Sequence, residues 1–251
     1  MNETQEKTVL SLLERQQYAS VEELSAALAV SASTTRRILE GLQNRKLITR
    51  THGGAKLNDA NNAAPSFTFR IHQNLFEKKK IALSAIKQIK DGDIIFLDGS
   101  TTAYCIAEYL GEFRNIKVIT NGIETLSLLS QNRIPAYSTG GEVSAENPAV
   151  LAGGYAEDGV RNFFADIVFF SARALDTEGR IYDCFENEIF LRRAMIQHSK
   201  TKVFLCDDTK FGKTSPHLLC TLNDVDYVAS NRPLPDFIPA SKSLSLFDRK
   251  T

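Results

Sequence analysis

Six short β-prone runs place the tightest limit on what this chain can fold into: Ile94 to Leu97, Ile116 to Thr120, Ile134 to Thr139, Ile167 to Phe170, Lys202 to Cys206 and Tyr227 to Ser230. They are mostly separated by helical patterns. Strands joined through helices lie side by side in parallel, with the helices covering the sheet. The expectation is a larger α/β domain over residues 74–251, built on a mostly parallel sheet. Asn74 with Glu77 marks its first helix, which Ala82, Ala85, Ile86 and Ile89 continue as an apolar stripe.

Residues 1–57 follow a different plan. Val9, Leu10, Leu12 and Leu13 recur at helical spacing within residues 4–16, and Val21 to Leu28 forms a second short helix with Leu24 and Leu28 inward. Ser20 with Glu23 completes a capping box for it. A tight connection from Ala29 to Ser31 feeds a third helix starting at about Ala32, with Ser31 as N-cap. This order is a helix-turn-helix. Leu47 to Arg50 reads as a strand and Gly53-Gly54 as a sharp reversal, giving a small β wing that carries Arg50 and His52.

On the third helix Thr35, Leu39 and Leu42 share one face, and Ser33, Thr34, Arg36 and Arg37 lie on the opposite or flanking surface. Small hydroxyls and arginines at the N-terminal end of such a helix suit a major groove, where they reach phosphates and base edges. Between Ser31 and Leu57 six bases (Arg36, Arg37, Arg45, Lys46, Arg50, Lys56) face one acid, Glu40, a local balance of +5. That is a footprint for a polyanion. The expected contacts to double-stranded DNA are Ser31, Ser33, Thr34, Arg36, Arg37, Arg50 and His52; for His52, a phosphate contact and a solvated turn both stay open. The chain as a whole carries no net charge, so the affinity is local. Residues 57–66, with Asn58, Asp59, Asn61, Asn62, Pro65 and Ser66, read as a polar linker, which places a boundary segment at 58–73.

The second domain offers a candidate ligand site. Asp98-Gly99-Ser100-Thr101-Thr102 leaves one strand and enters a helix, so free N–H groups, Gly99 and three hydroxyls suit a phosphate, although a plain N-cap explains the same residues. Asn121 ends the next strand and Gly140-Gly141 the one after, so three strand ends can converge on one crevice. Asp207 and Lys210 follow a later strand, either as ligand groups or as an exposed ion pair. Glu186 and Glu188 are open between helix-dipole partners and ligand contacts.

Four scattered cysteines, Cys105, Cys184, Cys206 and Cys220, contain no C-x-x-C pair, so neither zinc nor a disulfide framework is expected, and no cofactor is implied. No apolar run approaches the ~18 residues of a bilayer span, and the expected location is the cytoplasm.

Val30-Ser31, Thr34, Arg36-Arg37, Leu39, Leu47 to Arg50 and His52-Gly53-Gly54-Ala55 resemble the DNA-binding signature of the DeoR family of bacterial transcriptional regulators. Glu77-Lys78, Asp91-Gly92-Asp93, Asp98 to Thr102, Thr120-Asn121, Gly140-Gly141, Ala165-Asp166 and Asp207 to Gly212 resemble successive signatures of its sensor domain. The resemblance implies a fold similar to ribose-5-phosphate isomerase and a repressor of a carbohydrate operon whose operator binding changes when a phosphorylated sugar occupies the sensor. Ile38, Thr35 and Arg173-Ala174 depart from the usual family residues. Paired half-sites favour a homodimer or homotetramer. The competing reading is a sugar-phosphate isomerase using the Asp98 and Asp207/Lys210 regions.

Overall fold

The computed structural model describes residues 3–16, 18–45, 47–51, 53–57 and 67–244. Lys46, His52 and the expected linker over residues 58–66 lie outside the described residues. Contacts group the chain into two units, Met1–Gln73 and Asn74–Thr251.

The first unit contains α1 (Glu3–Gln16), β1 (Tyr18–Ser20), α2 (Val21–Leu28), α3 (Ala32–Asn44), β2 (Ile48–Thr51), β3 (Gly54–Leu57) and α4 (Phe67–His72). The capping box forms: the Glu23 N–H donates to Ser20 Oγ at 3.1 Å and the Ser20 N–H to Glu23 Oε2 at 2.8 Å. Ala29, in the left-handed region at φ 52°, ends α2 and turns the chain toward α3. Val9, Leu13, Leu24, Ile38, Leu39, Leu42 and Ile48 form one core. The wing is a three-stranded antiparallel sheet in the order β1-β3-β2. β1 was not anticipated, because three residues are too few to show alternation. It explains Gly54: a Cβ there would lie 2.4 Å from the Ala19 carbonyl oxygen of β1.

The second unit contains α5 (Leu75–Ala85), β4 (Ile94–Leu97), α6 (Thr101–Ala107), β5 (Lys117–Thr120), α7 (Ile123–Gln131), β6 (Ala136–Ser138), β7 (Glu142–Val143) and β8 (Leu151–Ala152). It continues with α8 (Gly154–Arg161), β9 (Ala165–Ser171), β10 (Ala174–Leu175), β11 (Arg180–Asp183), α9 (Glu186–Gln197), β12 (Ser199–Leu205), β13 (His217–Thr221) and β14 (Tyr227–Ala229). Each of the six β-prone runs supplies one strand of a sheet ordered β14-β12-β9-β4-β5-β6, parallel throughout. Phe96, Phe169, Phe170 and Phe204 are fully buried, as expected of strands covered on both faces.

The chain leaves β4 toward β5 and β6, then returns to β9 on the other side of β4 and continues to β12 and β14. The junction of β4 and β9 is therefore a topological switch point, the place where open parallel sheets form a crevice at their strand ends. One expectation changes: Asn74 is left-handed at φ 53° and its side chain makes no cap bond, so α5 starts from the backbone, with the Lys78 N–H donating to the Asn74 carbonyl at 3.0 Å.

Candidate functional site

Ser31 is the N-cap of α3, and its exposed hydroxyl lies 2.8 Å from Ser33 Oγ and 3.0 Å from Thr34 Oγ1. Arg36 and Arg37 on α3 and Arg50 on β2 are exposed and have no ion pair among the described residues. Arg45 is different: it binds Glu6 at 2.6 Å and the Gly41 carbonyl, so it is withdrawn from the basic surface. Ile38 and Thr35 are both buried, and Thr35 Oγ1 is satisfied by the Ser31 carbonyl and Ser25 Oγ. Those departures from the family pattern thus fall on the packed face and leave the outward face unchanged.

At the switch point, contacts run from β4 across β9 to the end of β12. Asp98, 1% exposed, accepts hydrogen bonds from the Ser100 N–H at 3.1 Å and the Ser171 N–H at 3.0 Å. Lys210 Nζ donates to Ser171 Oγ at 2.7 Å and stands 3.5 Å from Asp207. Asp207 is also held by the Thr209 hydroxyl and N–H. Burial pushes the Asp207 carboxyl up, but Lys210, the Thr209 hydrogen bonds and Lys78 outweigh it and hold it below the usual carboxylate range. A depressed native value contributes stability that is present above the unfolded value and lost as pH falls through the native one. The stability gap between the wild type and Asp207→Asn is therefore expected to narrow in urea unfolding as pH falls from ~5 through the unfolded value near ~4 and below it.

Ser100 caps α6 by accepting from the Ala103 N–H, and Thr101 and Thr102 are buried behind it. Gly99 has no room for a side chain: a Cβ would lie 2.3 Å from Val150 Cγ1. Val150 belongs to the segment between β7 and β8, which is bound along the end of β5 by Leu151 N–H to Asn121 carbonyl at 2.8 Å and Ile123 N–H to Ala149 carbonyl at 3.0 Å. Asn121 Nδ2 donates to the Leu151 carbonyl at 3.0 Å, whereas its Oδ1 is buried without a hydrogen-bond partner. Gly140 and Gly141 do not join this cluster; they take left-handed φ values, and Gly141 packs on Ala152 and Ala156. A surface hollow of about 460 Å³ lies beside them, lined by Glu142, Ala152, Gly153, Gly154, Tyr155 and Asp158. Its two carboxylates make it a poor seat for a phosphate.

Arg192 is the residue that sequence reasoning missed. From α9 it reaches Asp98 at 3.1 Å, Asp183 at 2.6 Å and Glu188 at 2.6 Å, and it is 6% exposed. Burial pushes the guanidinium down, but the three carboxylates raise it further, so it stays charged. Asn147, between β7 and β8, donates to Glu188 at 2.8 Å, which ties that segment to the same cluster. Glu188 is thus an internal ion-pair partner and Asp98 an organising residue. The Glu188/Arg192 spacing of four was the available signal, since it puts both on one helix face.

Burial pushes the Cys105, Cys184 and Cys220 thiols up to about 12 and Cys206 further, so all four remain protonated. Among the described residues no group of three or more His, Cys, Asp or Glu side chains is placed to hold a metal ion. Among the same residues no helix is long and apolar enough to cross a membrane.

An exposed arginine face on a winged helix-turn-helix, in the same chain as an α/β unit with a polar strand-end cluster, defines a DNA-binding regulator that carries its own sensor. The family profile for the DeoR-like helix-turn-helix domain matches residues 6–61, and that for the DeoR C terminal sensor domain matches residues 73–232. The HTH-type transcriptional regulator GolR of Listeria innocua is 33% identical over 227 residues, 90% of this chain and 89% of that one. The glycerol-3-phosphate regulon repressor of Escherichia coli is 28% identical over 237 residues, 94% of this chain and 93% of the relative. Among solved structures, a ribose 5-phosphate isomerase A from Methanocaldococcus jannaschii covers 55% of each chain at 21% identity and a TM-score of 0.42. The chain belongs to the DeoR family and is a DNA-binding transcriptional regulator. The isomerase alternative is set aside, because relatives matched along about nine-tenths of the chain are transcriptional regulators.

Proposed function

We propose that this regulator represses a sugar or carbohydrate catabolic operon and that a phosphorylated sugar at the switch point between β4 and β9 changes its hold on the operator. The observation that carries the ligand site is Asn121 Oδ1, a buried acceptor with no partner at the end of β5. Leaving such an atom unpaired costs about 1–3 kcal/mol, which a ligand hydroxyl would recover. Lys210, held at the neighbouring strand ends by Ser171, supplies the charge for the phosphate, and the Gly99 to Thr102 loop supplies donors. Asp98 and Asp207 position these groups, while Gly140 and Gly141 shape the adjoining turn. The name of the Escherichia coli relative, a glycerol-3-phosphate regulon repressor, supports a phosphorylated effector.

Ser31, Ser33, Thr34, Arg36, Arg37, Arg50 and His52 are assigned to the operator. The protein works in the cytoplasm as a homodimer or homotetramer, because two linked reading heads convert the second contact into an intramolecular one.

The test of the ligand site is thermal unfolding of the full chain with a panel of phosphorylated sugars. A binding sugar is expected to raise the unfolding temperature, and Lys210→Ala to remove most of that rise, since a charge-assisted contact supplies about 1.5–3 kcal/mol. An unchanged rise in Lys210→Ala would exclude the assigned phosphate position.

A further inference from the structure

Arg173 is a basic residue at the strand ends whose charge the site as described does not use. It follows Ser171 by two residues, at most about 7 Å of backbone, and Ser171 is the residue that joins Asp98 to Lys210. Its backbone is fixed: the Arg173 N–H donates to the Tyr182 carbonyl at 2.9 Å, and Ala172 and Ala174 on either side are buried. Arg173 itself is exposed.

The other cations of this site already have roles: Arg192 in internal ion pairs and Lys210 at the first phosphate. Arg192 is surrounded by three carboxylates, and Lys210 is shared between Asp207 and Ser171. Arg173 makes no ion pair among the described residues. Asp183 and Glu188, which share the neighbourhood of Cys184 with Arg173, are both bound by Arg192. An exposed guanidinium with no ion pair among the described residues, whose backbone leaves the strand end two residues after Ser171, is available to an anion and matches a carboxylate or phosphate in a two-point contact.

We propose that Arg173 reads a second anionic group on the effector, so that the ligand is a phosphosugar carrying a carboxylate or a further phosphate away from Lys210. This rests on the strand-end site proposed above, with Lys210 taking the first phosphate. A phosphosugar with the phosphate as its one anionic group, singly anionic in that sense, would occupy the same site and leave Arg173 unpaired.

Two matched pairs test this by calorimetric titration of the full chain: glucose 6-phosphate against 6-phosphogluconate, and fructose 6-phosphate against fructose 1,6-bisphosphate. In at least one pair the doubly anionic member is expected to bind the wild type about tenfold to a hundredfold more tightly. The pair that shows the difference tells a carboxylate from a second phosphate. Arg173→Gln is expected to erase the difference and leave the singly anionic member within about twofold. Its ligand-free unfolding temperature should match the wild type, because the side chain is exposed. The proposal fails if the preference survives Arg173→Gln, if both members weaken equally, or if the wild type favours the singly anionic member. Binding of singly anionic members that Lys210→Ala abolishes would then leave the strand-end site standing without Arg173. No binding by any of the four would overturn both.

Discussion

Arg192→Ala is expected to destabilise the second unit by about 3–5 kcal/mol, because removing one partner of a buried ion cluster leaves its remaining charges unpaired. Here three carboxylates would remain around the vacated guanidinium: Asp98, Asp183 and Glu188. The loss should be read by urea unfolding of the full chain. Arg192→Lys should recover only part of it, since an ammonium cannot present the planar fork that reaches separate carboxylates. The change should also loosen the strand-end site, because Asp98 orders Ser100 and Ser171 while Glu188 holds Asn147. A fully stable Arg192→Ala with unaltered effector binding would show that the cluster organises nothing.

The second large effect belongs to the DNA surface. Arg36→Ala with Arg37→Ala should weaken operator binding by roughly 25-fold at ~0.15 M salt for each reading head, taking about fivefold per phosphate contact, and lower the salt slope by up to about two. Neither residue makes an ion pair among the described residues or enters the core of the first unit, so the unfolding temperature should not move. A loss confined to certain operator positions would instead mark a base contact, at about 1–3 kcal/mol for that position. No change in affinity or slope would remove both residues from the interface.

The sheet could be read from the sequence because a strand covered on both faces is a continuous apolar run, as in β4 and β9, whereas the edge strand β6 is half-buried to exposed and shows the signal weakly. The helix-turn-helix was equally open to reading: Ser20 with Glu23 and Ser31 with Thr34 are local cap contacts, set by neighbours three residues apart. What escaped depends on residues distant in the chain. β1 pairs with β3 across more than thirty residues, and only that pairing gives Gly54 its role. Asp98 and Lys210 were correctly placed at strand ends, yet Asp98 proved to be occupied by Ser171 and Arg192, partners 73 residues or more away. The orphan acceptor of Asn121 could not be foreseen either, since it exists only because Leu151 takes the other half of the amide.

Occupation of the strand-end site is expected to alter operator binding. The most direct test follows the fluorescence anisotropy of a DNA fragment from upstream of this protein's own gene as the full chain is added, with and without the phosphosugar that raises its unfolding temperature. The expected result is salt-sensitive binding whose dissociation constant shifts about five- to 150-fold with the sugar, a coupling of about 1–3 kcal/mol. Lys210→Ala should bind the same DNA without responding to the sugar. A sugar that raises the unfolding temperature yet leaves operator affinity unchanged would show that the two surfaces are uncoupled.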